Sequence, residues 1–249
     1  ATGAVPAAAI ASGVNQRRTP SGMALRGYVK NEALAGSIRQ LQVVWHPRLR
    51  GGYGWIFPAP GGSFNIGVGL TGSHARGRDG RHAMQDVNLR EMLASFCEVH
   101  APARELMAGG TPLGEVKGAP LRFSLQGALW SRPGLLATGE VIGSTYAFTG
   151  EGIGKALETG MLAAEALLSA GDDAAVRLHY AAALQALRPK FELYDRAAHV
   201  NHRPWLADLV VWRARRSPRI LRRLGAVLEE RQSPARLFTL GGIAKLMFE

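Results

Sequence analysis

Phe64, Ile66, Val68 and Leu70 alternate with Asn65, Gly67 and Gly69, and this period of two predicts a strand with one apolar face. Pro60-Gly61-Gly62 separates that run from Tyr53–Phe57, where aromatic residues alternate with Gly54 and Ile56, so the two runs read as a hairpin. Met23–Val29 and the short apolar run Leu41–Trp45 read as further strands. A polar loop is expected over 71–81. The period then lengthens. Val87, Met92, Phe96 and Val99 recur at helical spacing within Met84–His100, with Cys97 alongside. A second strand region covers 112–125, and Leu135–Thr138 reads as a buried strand introduced by Pro133-Gly134. From about Gly152 a helix is expected whose Ile153, Leu157, Met161, Ala164 and Leu168 share one stripe. Beyond Gly171 the pattern is helical, with breaks expected at Pro189, Pro204, Pro218 and Pro234.

This order predicts an α/β protein in four parts: the end of one domain over 1–20, an inserted β-sheet domain over 21–126, a return of the first domain over 127–171, and a helical region over 172–249. An apolar content of 47% with 20% charged residues suits a folded chain of this length with a sizeable core. The chain opens on Ala1-Thr2-Gly3-Ala4, without Met, at what reads as a strand end, so it is expected to begin inside a fold. No run approaches the roughly 18 apolar residues of a membrane-spanning helix.

Thirty-one glycines make up about 12% of the chain, against roughly 7% in average usage, an excess that suits tight turns and close backbone approach. Cys97 is the only cysteine, so neither an internal disulfide nor a cysteine-based metal site is available, and a reducing cytoplasm is the expected setting. His199 and His202 lie three apart on an expected helix, which is too little for a metal site, and none is expected.

The net charge of +11 is unevenly placed. Nine arginines lie between Arg203 and Arg236, against Asp208, Glu229 and Glu230. One reading is a solvated helix face. The other is a surface for anionic membrane, at the inner face of a membrane, because Trp205, Leu206, Leu209, Val210 and Trp212 lie among the arginines. No recognisable nucleic-acid-binding module accompanies them, and nucleic acid is not an expected partner.

Leu135–Glu165 carries the strongest chemistry: a strand, a Gly-bearing turn, a loop, and the start of an amphipathic helix. Gly150 and Gly152 precede that helix and leave the backbone open to a ligand. Unpaired N–H groups and the positive end of the helix dipole would favour an anion there. The segment resembles the second flavin-binding motif of the geranylgeranyl reductases and of the wider hydroxylase-type flavoproteins. Gly139, Gly143, Phe148, Thr149, Gly150, Glu151, Gly152, Ile153, Ala156, Gly160, Ala163, Ala164 and Glu165 stand at matching spacings. The resemblance implies FAD, with Glu140 on its ribityl chain and Gly150–Ile153 lining the flavin ring. Glu140 stands where the family has Asp, and Ala147 where it has Pro.

Tyr53-Gly54-Trp55-Ile56-Phe57-Pro58, followed by Gly67, resembles a second signature of the same family, in its substrate-binding sheet. Period two places Tyr53, Trp55 and Phe57 on one face. Two readings stay open: an aromatic wall for an apolar isoprenoid chain, or rings that fill a core against a helix. Ala1-Thr2-Gly3-Ala4 resembles the strand end that precedes this sheet domain in such flavoproteins.

The resemblance thus implies the later part of a Rossmann-like FAD-binding domain with an inserted β-sheet substrate domain, in an oxidoreductase that reduces double bonds of an isoprenoid-like substrate. Alternatives are a flavin-dependent monooxygenase or halogenase, or a chain without catalysis. No segment reads as the Gly-x-Gly-x-x-Gly strand-turn-helix that would hold the FAD pyrophosphate; Gly150-x-Gly152-x-Gly154 is wrongly spaced and follows a loop. No residue is singled out as catalytic acid or base.

Overall fold

Alternating side chains build one antiparallel sheet, and it forms its own unit. The computed structural model describes residues 1–49, 51–72, 86–169, 171–198, 204–228 and 231–232. It divides into a unit made of Ala1–Arg18 and Leu121–Glu249, and a second made of Thr19–Pro120. The first opens with a one-and-a-half-turn helix, α1 (Pro6–Ala11), whose Pro at the first turn sacrifices no helical hydrogen bond.

In the second unit the strands are β1 (Gly22–Lys30), β2 (Gln42–Val44), β3 (Gly52–Ala59), β4 (Ser63–Thr71), β5 (Thr111–Pro112) and β6 (Lys117–Leu121). The order is β2-β3-β4-β1-β5, with β6 also on β1. Gly61 and Gly62, both at positive φ, turn β3 into β4. Helices α2 (Leu89–Val99) and α3 (Ala101–Gly109) follow. Asn88 caps α2, accepting the Arg90 N–H at 2.9 Å.

Leu25, Val29, Ile56, Phe64, Ile66 and Val68 are buried with Met92, Phe96 and Leu106 of the helices in one core. Gly54 is required there, because a Cβ would run into the Phe96 ring. Period two across the strands and period 3.6 on the helices therefore meet on a single sheet face. The expected helix over Met84–His100 begins at Leu89. Much of the expected loop at 71–81 lies outside the described residues, as does Met84.

In the first unit the strand expected at Leu135–Thr138 is only a two-residue β8 (Leu135–Leu136), paired with β7 (Ser131–Arg132). Gly134, at φ +70°, turns this small hairpin. The chain then makes a 3-10 turn over Gly139–Ile142 and enters α4 (Ile153–Ser169) and α5 (Asp173–Ala198). Among the described residues the unit holds no parallel sheet, so the expected Rossmann-like portion appears only as turn, loop and helix.

Pro189 does not break α5 as expected. Leu184, Phe191, Tyr194 and Ala197 are buried on either side of it, and this packing outweighs the lost hydrogen bond. Pro204 and Pro218 do begin helices, α6 (Pro204–Arg216) and α7 (Pro218–Leu228), while Pro234 lies outside the described residues.

The stripe expected on α4 exists, but it faces outward. Ile153, Leu157, Met161 and Leu168 are exposed, Leu168 to 88%. The inward face is small: Thr159, Ala163 and Ala166 are buried. Size decides the orientation, since Ala156 packs closely against Gly139 of the 3-10 turn, where a leucine would not fit. The core of this unit instead gathers Phe123, Val141, Ile142, Tyr146, Tyr180, Phe191 and Tyr194.

Candidate functional site

The loop between the 3-10 turn and α4 is fixed by polar contacts within the chain. Gly139, at φ +74°, donates its N–H to the Thr159 hydroxyl on α4 at 3.0 Å. Glu140 Oε1 accepts the Arg122 backbone N–H at 2.8 Å, and its Oε2 accepts the Thr145 hydroxyl. Burial pushes the Glu140 carboxyl above its ordinary range, opposed by these two hydrogen bonds and by the Arg122 charge. Each oxygen of a carboxylate retains a second lone pair, so a ligand hydroxyl is still an acceptable donor.

Gly152 sits against this pair. A Cβ at that position would collide with the Thr145 hydroxyl and approach Glu140 Oε2. The need for glycine at 152 thus arises from its own loop. At Gly150 the need is conformational, a φ of +72°.

Tyr146 N–H donates to the Glu151 carbonyl at 2.8 Å, and Gly150 N–H donates to the Tyr146 carbonyl at 2.9 Å, which closes the loop on itself. Thr149 Oγ1 accepts the Glu151 N–H at 3.2 Å. Glu151 Oε1 in turn accepts the Gly154 N–H at 2.7 Å, so a carboxylate of the chain already occupies one donor at the start of α4. Ile153, next in line, is exposed. Beneath the loop the Tyr146 ring stacks on Tyr194, with centroids 4.1 Å apart. Ser144 is fully buried, and its hydroxyl has no hydrogen-bond partner among the described residues.

Two features beneath the site were not legible beforehand. Arg122 is buried, with Nη1 donating to the Arg17 carbonyl at 2.8 Å and Nη2 to the Arg18 carbonyl at 3.3 Å. It ties the first 18 residues to the segment that meets Glu140. Ser124 and Leu125 both adopt positive φ, 68° and 53°, a costly conformation for non-glycine residues. Leu125 N–H donates to the Gly143 carbonyl at 2.8 Å, and the Ser124 hydroxyl to Asp195 at 2.8 Å, which hold them there.

In the sheet unit, Tyr53, Trp55 and Phe57 share the β3 face opposite Gly54 and Ile56, and each is half-buried. Their β4 partners are Gly69, Gly67 and Asn65. These small residues leave a shelf: a Cβ at Gly67 would collide with the Trp55 indole. Asn65 Oδ1 accepts the indole N–H at 2.9 Å. Trp45 extends the row, its ring 5.7 Å from that of Tyr53, and Trp55 stacks on Phe57 at 5.9 Å. Burial pushes the Tyr53 hydroxyl up to about 12. Helix α2 lies on the other face, with Phe96 against Gly54, so these rings do not fill the core under the helix.

No family model matches the chain. It is 34% identical over 134 residues to the digeranylgeranylglycerophospholipid reductase of Methanosarcina mazei, covering 51% of this chain and 29% of that protein. It is 29% identical over 163 residues to the menaquinone reductase of Mycolicibacterium smegmatis, covering 62% of this chain and 36% of that protein. The chain thus spans about a third of the length of these relatives. A geranylgeranyl bacteriochlorophyll reductase-like protein from Thermoplasma acidophilum superposes with a TM-score of 0.56 at 20% identity, over 77% of this chain and 47% of that one. These matches support a likeness to the geranylgeranyl reductases.

Klebsiella pneumoniae HpxO, solved with FAD and uric acid, shares the fold at a TM-score of 0.51 and 15% identity, over 94% of this chain and 54% of that one. The seven residues expected at the cofactor, Gly139, Glu140, Thr149, Gly150, Glu151, Gly152 and Ile153, all lie on one turn, loop and helix start. The run Gly67-Val68-Gly69-Leu70-Thr71-Gly72 also has dinucleotide-motif spacing. It lies along and just beyond antiparallel β4, whose glycines face Trp55, and residues 73–85, which follow it, lie outside the described residues. His199 and His202 lie outside the described residues, and among those described no cluster of His, Cys, Asp or Glu is set to hold a metal.

Proposed function

We propose that this chain contributes the flavin-ring side and the substrate sheet of an FAD-dependent reductase acting on an apolar, isoprenoid-like substrate. The observation that carries the reading is the Glu140–Thr145–Gly152 arrangement at the foot of α4, in a chain whose relatives are named reductases of menaquinone and of a digeranylgeranyl lipid. The loop fits a flavin in three respects. Its left-handed Gly150 exposes backbone, Ser144 holds a buried hydroxyl without a partner among the described residues, and Glu140 keeps acceptor capacity.

Glu140 and Thr149–Ile153 are the residues that would hold the cofactor, which supplies hydride transfer when bound. The chain's own part is positional. Glu140 and Thr145 lock the loop, and Glu151 caps α4. Tyr53, Trp55 and Phe57 offer a dry apolar wall to a long chain that has few polar handles. An isoprenoid tail is bound through area alone, which is what such a row of rings provides.

The same reading sets the protein against a membrane, where such substrates reside. Among the described residues no helix is long and apolar enough to cross one, so the contact would be peripheral.

The test is to join this chain behind the N-terminal region of the Methanosarcina mazei relative and measure retained FAD and reduction of a geranylgeranyl-bearing lipid. Retained FAD with reduction of the lipid supports the reading. Oxygen consumption with hydroxylation or halogenation, and no reduction of the lipid, would assign it to the monooxygenase or halogenase class.

A further inference from the structure

Helices α6 and α7 carry six arginines, 213, 215, 216, 219, 222 and 223, against a single acid, Asp208. Backbone hydrogen bonding passes through their junction: Ser217 N–H donates to the Arg213 carbonyl at 2.9 Å, and Leu221 N–H to the Ser217 carbonyl at 3.0 Å. Residues three and four apart therefore remain neighbours from one helix into the next. One side is anchored. Ala214, Ile220 and Val227 are buried, and the Val227 carbonyl accepts the Tyr194 hydroxyl at 3.4 Å.

The outward side repeats a different pattern. Trp212, the pair Arg215 and Arg216, Arg219, and the pair Arg222 and Arg223 recur at spacings of three or four, and all are exposed. Two large apolar side chains lie among these charges. Trp212 is 48% exposed and Leu221 59% exposed. Arg216 lies over the Trp212 ring at 4.3 Å, a cation–π contact that holds charge and ring at one level.

A purely solvated helix face has no use for an exposed tryptophan and leucine inside a cationic row. A phosphate-bearing lipid surface accommodates both features, since phosphates attract the guanidinium groups while the indole and the leucine enter the headgroup boundary.

We infer that the outward face of α6 and α7 is a docking surface for an anionic lipid bilayer. It extends the lipid-substrate reading above and rests on it for its purpose, but its residues lie outside the flavin loop and the aromatic wall. Vesicle binding needs no flavin, so failure here leaves that reading standing, and failure of flavin binding leaves this one standing.

The experiment is sedimentation of the full 249-residue chain with phosphatidylcholine vesicles, with and without phosphatidylglycerol, at low and raised salt. Binding is expected only with phosphatidylglycerol and is expected to fall with salt. Joint replacement of Arg216, Arg219 and Arg222 by Glu should weaken it roughly a hundredfold or more, from the loss of three charges at the surface. The same triple change at exposed Arg39, Arg90 and Arg104 of the sheet unit should leave most of the binding intact, although the net charge is identical.

Trp212→Ser keeps every arginine and should still weaken binding, because its apolar area is lost; this variant also covers the case in which the triple variant fails to fold. Equal binding by wild type and the Arg216/Arg219/Arg222 variant would overturn the proposal. So would equal loss in the Arg39/Arg90/Arg104 variant, equal binding to uncharged vesicles, or tighter binding to single-stranded RNA than to any vesicle.

Discussion

The Thr145 hydroxyl donates to the same Glu140 carboxylate whose other oxygen accepts the Arg122 backbone N–H at 2.8 Å. This joins Glu140 to Thr145, five residues on, and to Arg122, eighteen residues back, and leaves room at their meeting point only for glycine, at 152.

Glu140→Ala removes both acceptors and leaves two donors unpaired, so a loss of about 1–3 kcal/mol is expected in denaturant unfolding. The pH dependence has a definite sign. The folded carboxyl lies above its ordinary value, so the folded state binds this proton more tightly. Its contribution is fully present below the ordinary carboxylate value and is lost as pH rises through the raised one. Wild type measured against Glu140→Gln should therefore lose relative stability between mildly acidic pH and neutrality. A flat difference would mean that Glu140 is not buried as described.

The α4 surface provides a second check. Leu157→Gln and Met161→Gln should shift stability by no more than about 0.5 kcal/mol, because both side chains already face outward. Ala163→Leu, on the packed side, should cost about 1–3 kcal/mol through overpacking. The reverse result, read by thermal melts, would place the large stripe in the core.

The aromatic wall separates by the same logic. Ile56→Ala, on the core face of β3, should cost about 2–5 kcal/mol. Trp55→Ala should cost less and should weaken binding of a long isoprenoid chain, measured with the joined protein described above. Gly67→Ala should destabilise even with Trp55 truncated, because its Cβ also meets the Leu25 carbonyl. Full restoration in the Gly67→Ala, Trp55→Ala pair would show that the indole alone demands the glycine.

The sheet was legible because period two states which face is buried without reference to any distant residue. Phe64, Ile66, Val68 and Leu70 are inside, as their alternation requires. The α4 stripe was legible as a stripe, yet its direction was not. Periodicity marks a face, and only the space available beside Gly139 shows that Ala156 and Thr159 must point inward. Arg122 was invisible for a related reason. A charged side chain in a short run gives no sign of the three carbonyls, from Ala4, Arg17 and Arg18, that make its burial tolerable. Pro189 shows long-range packing overriding a local rule. Glu140, by contrast, stood out through the spacing of its neighbours, but its partners Thr145 and Arg122 emerge only once the turn is folded.

Flavin stoichiometry tests the central claim most directly. Joined behind the N-terminal region of the Methanosarcina mazei relative, this chain should retain FAD at near one per protein, and Glu140→Ala should lower that content while Glu140→Asp preserves it. The 249 residues alone, which contain no strand-turn-helix of dinucleotide type among the described residues, should hold far less than one FAD per chain. Absorbance near the flavin bands after gel filtration reads all four proteins. A joined protein that folds without FAD, or equal FAD in wild type and Glu140→Ala, would contradict the account.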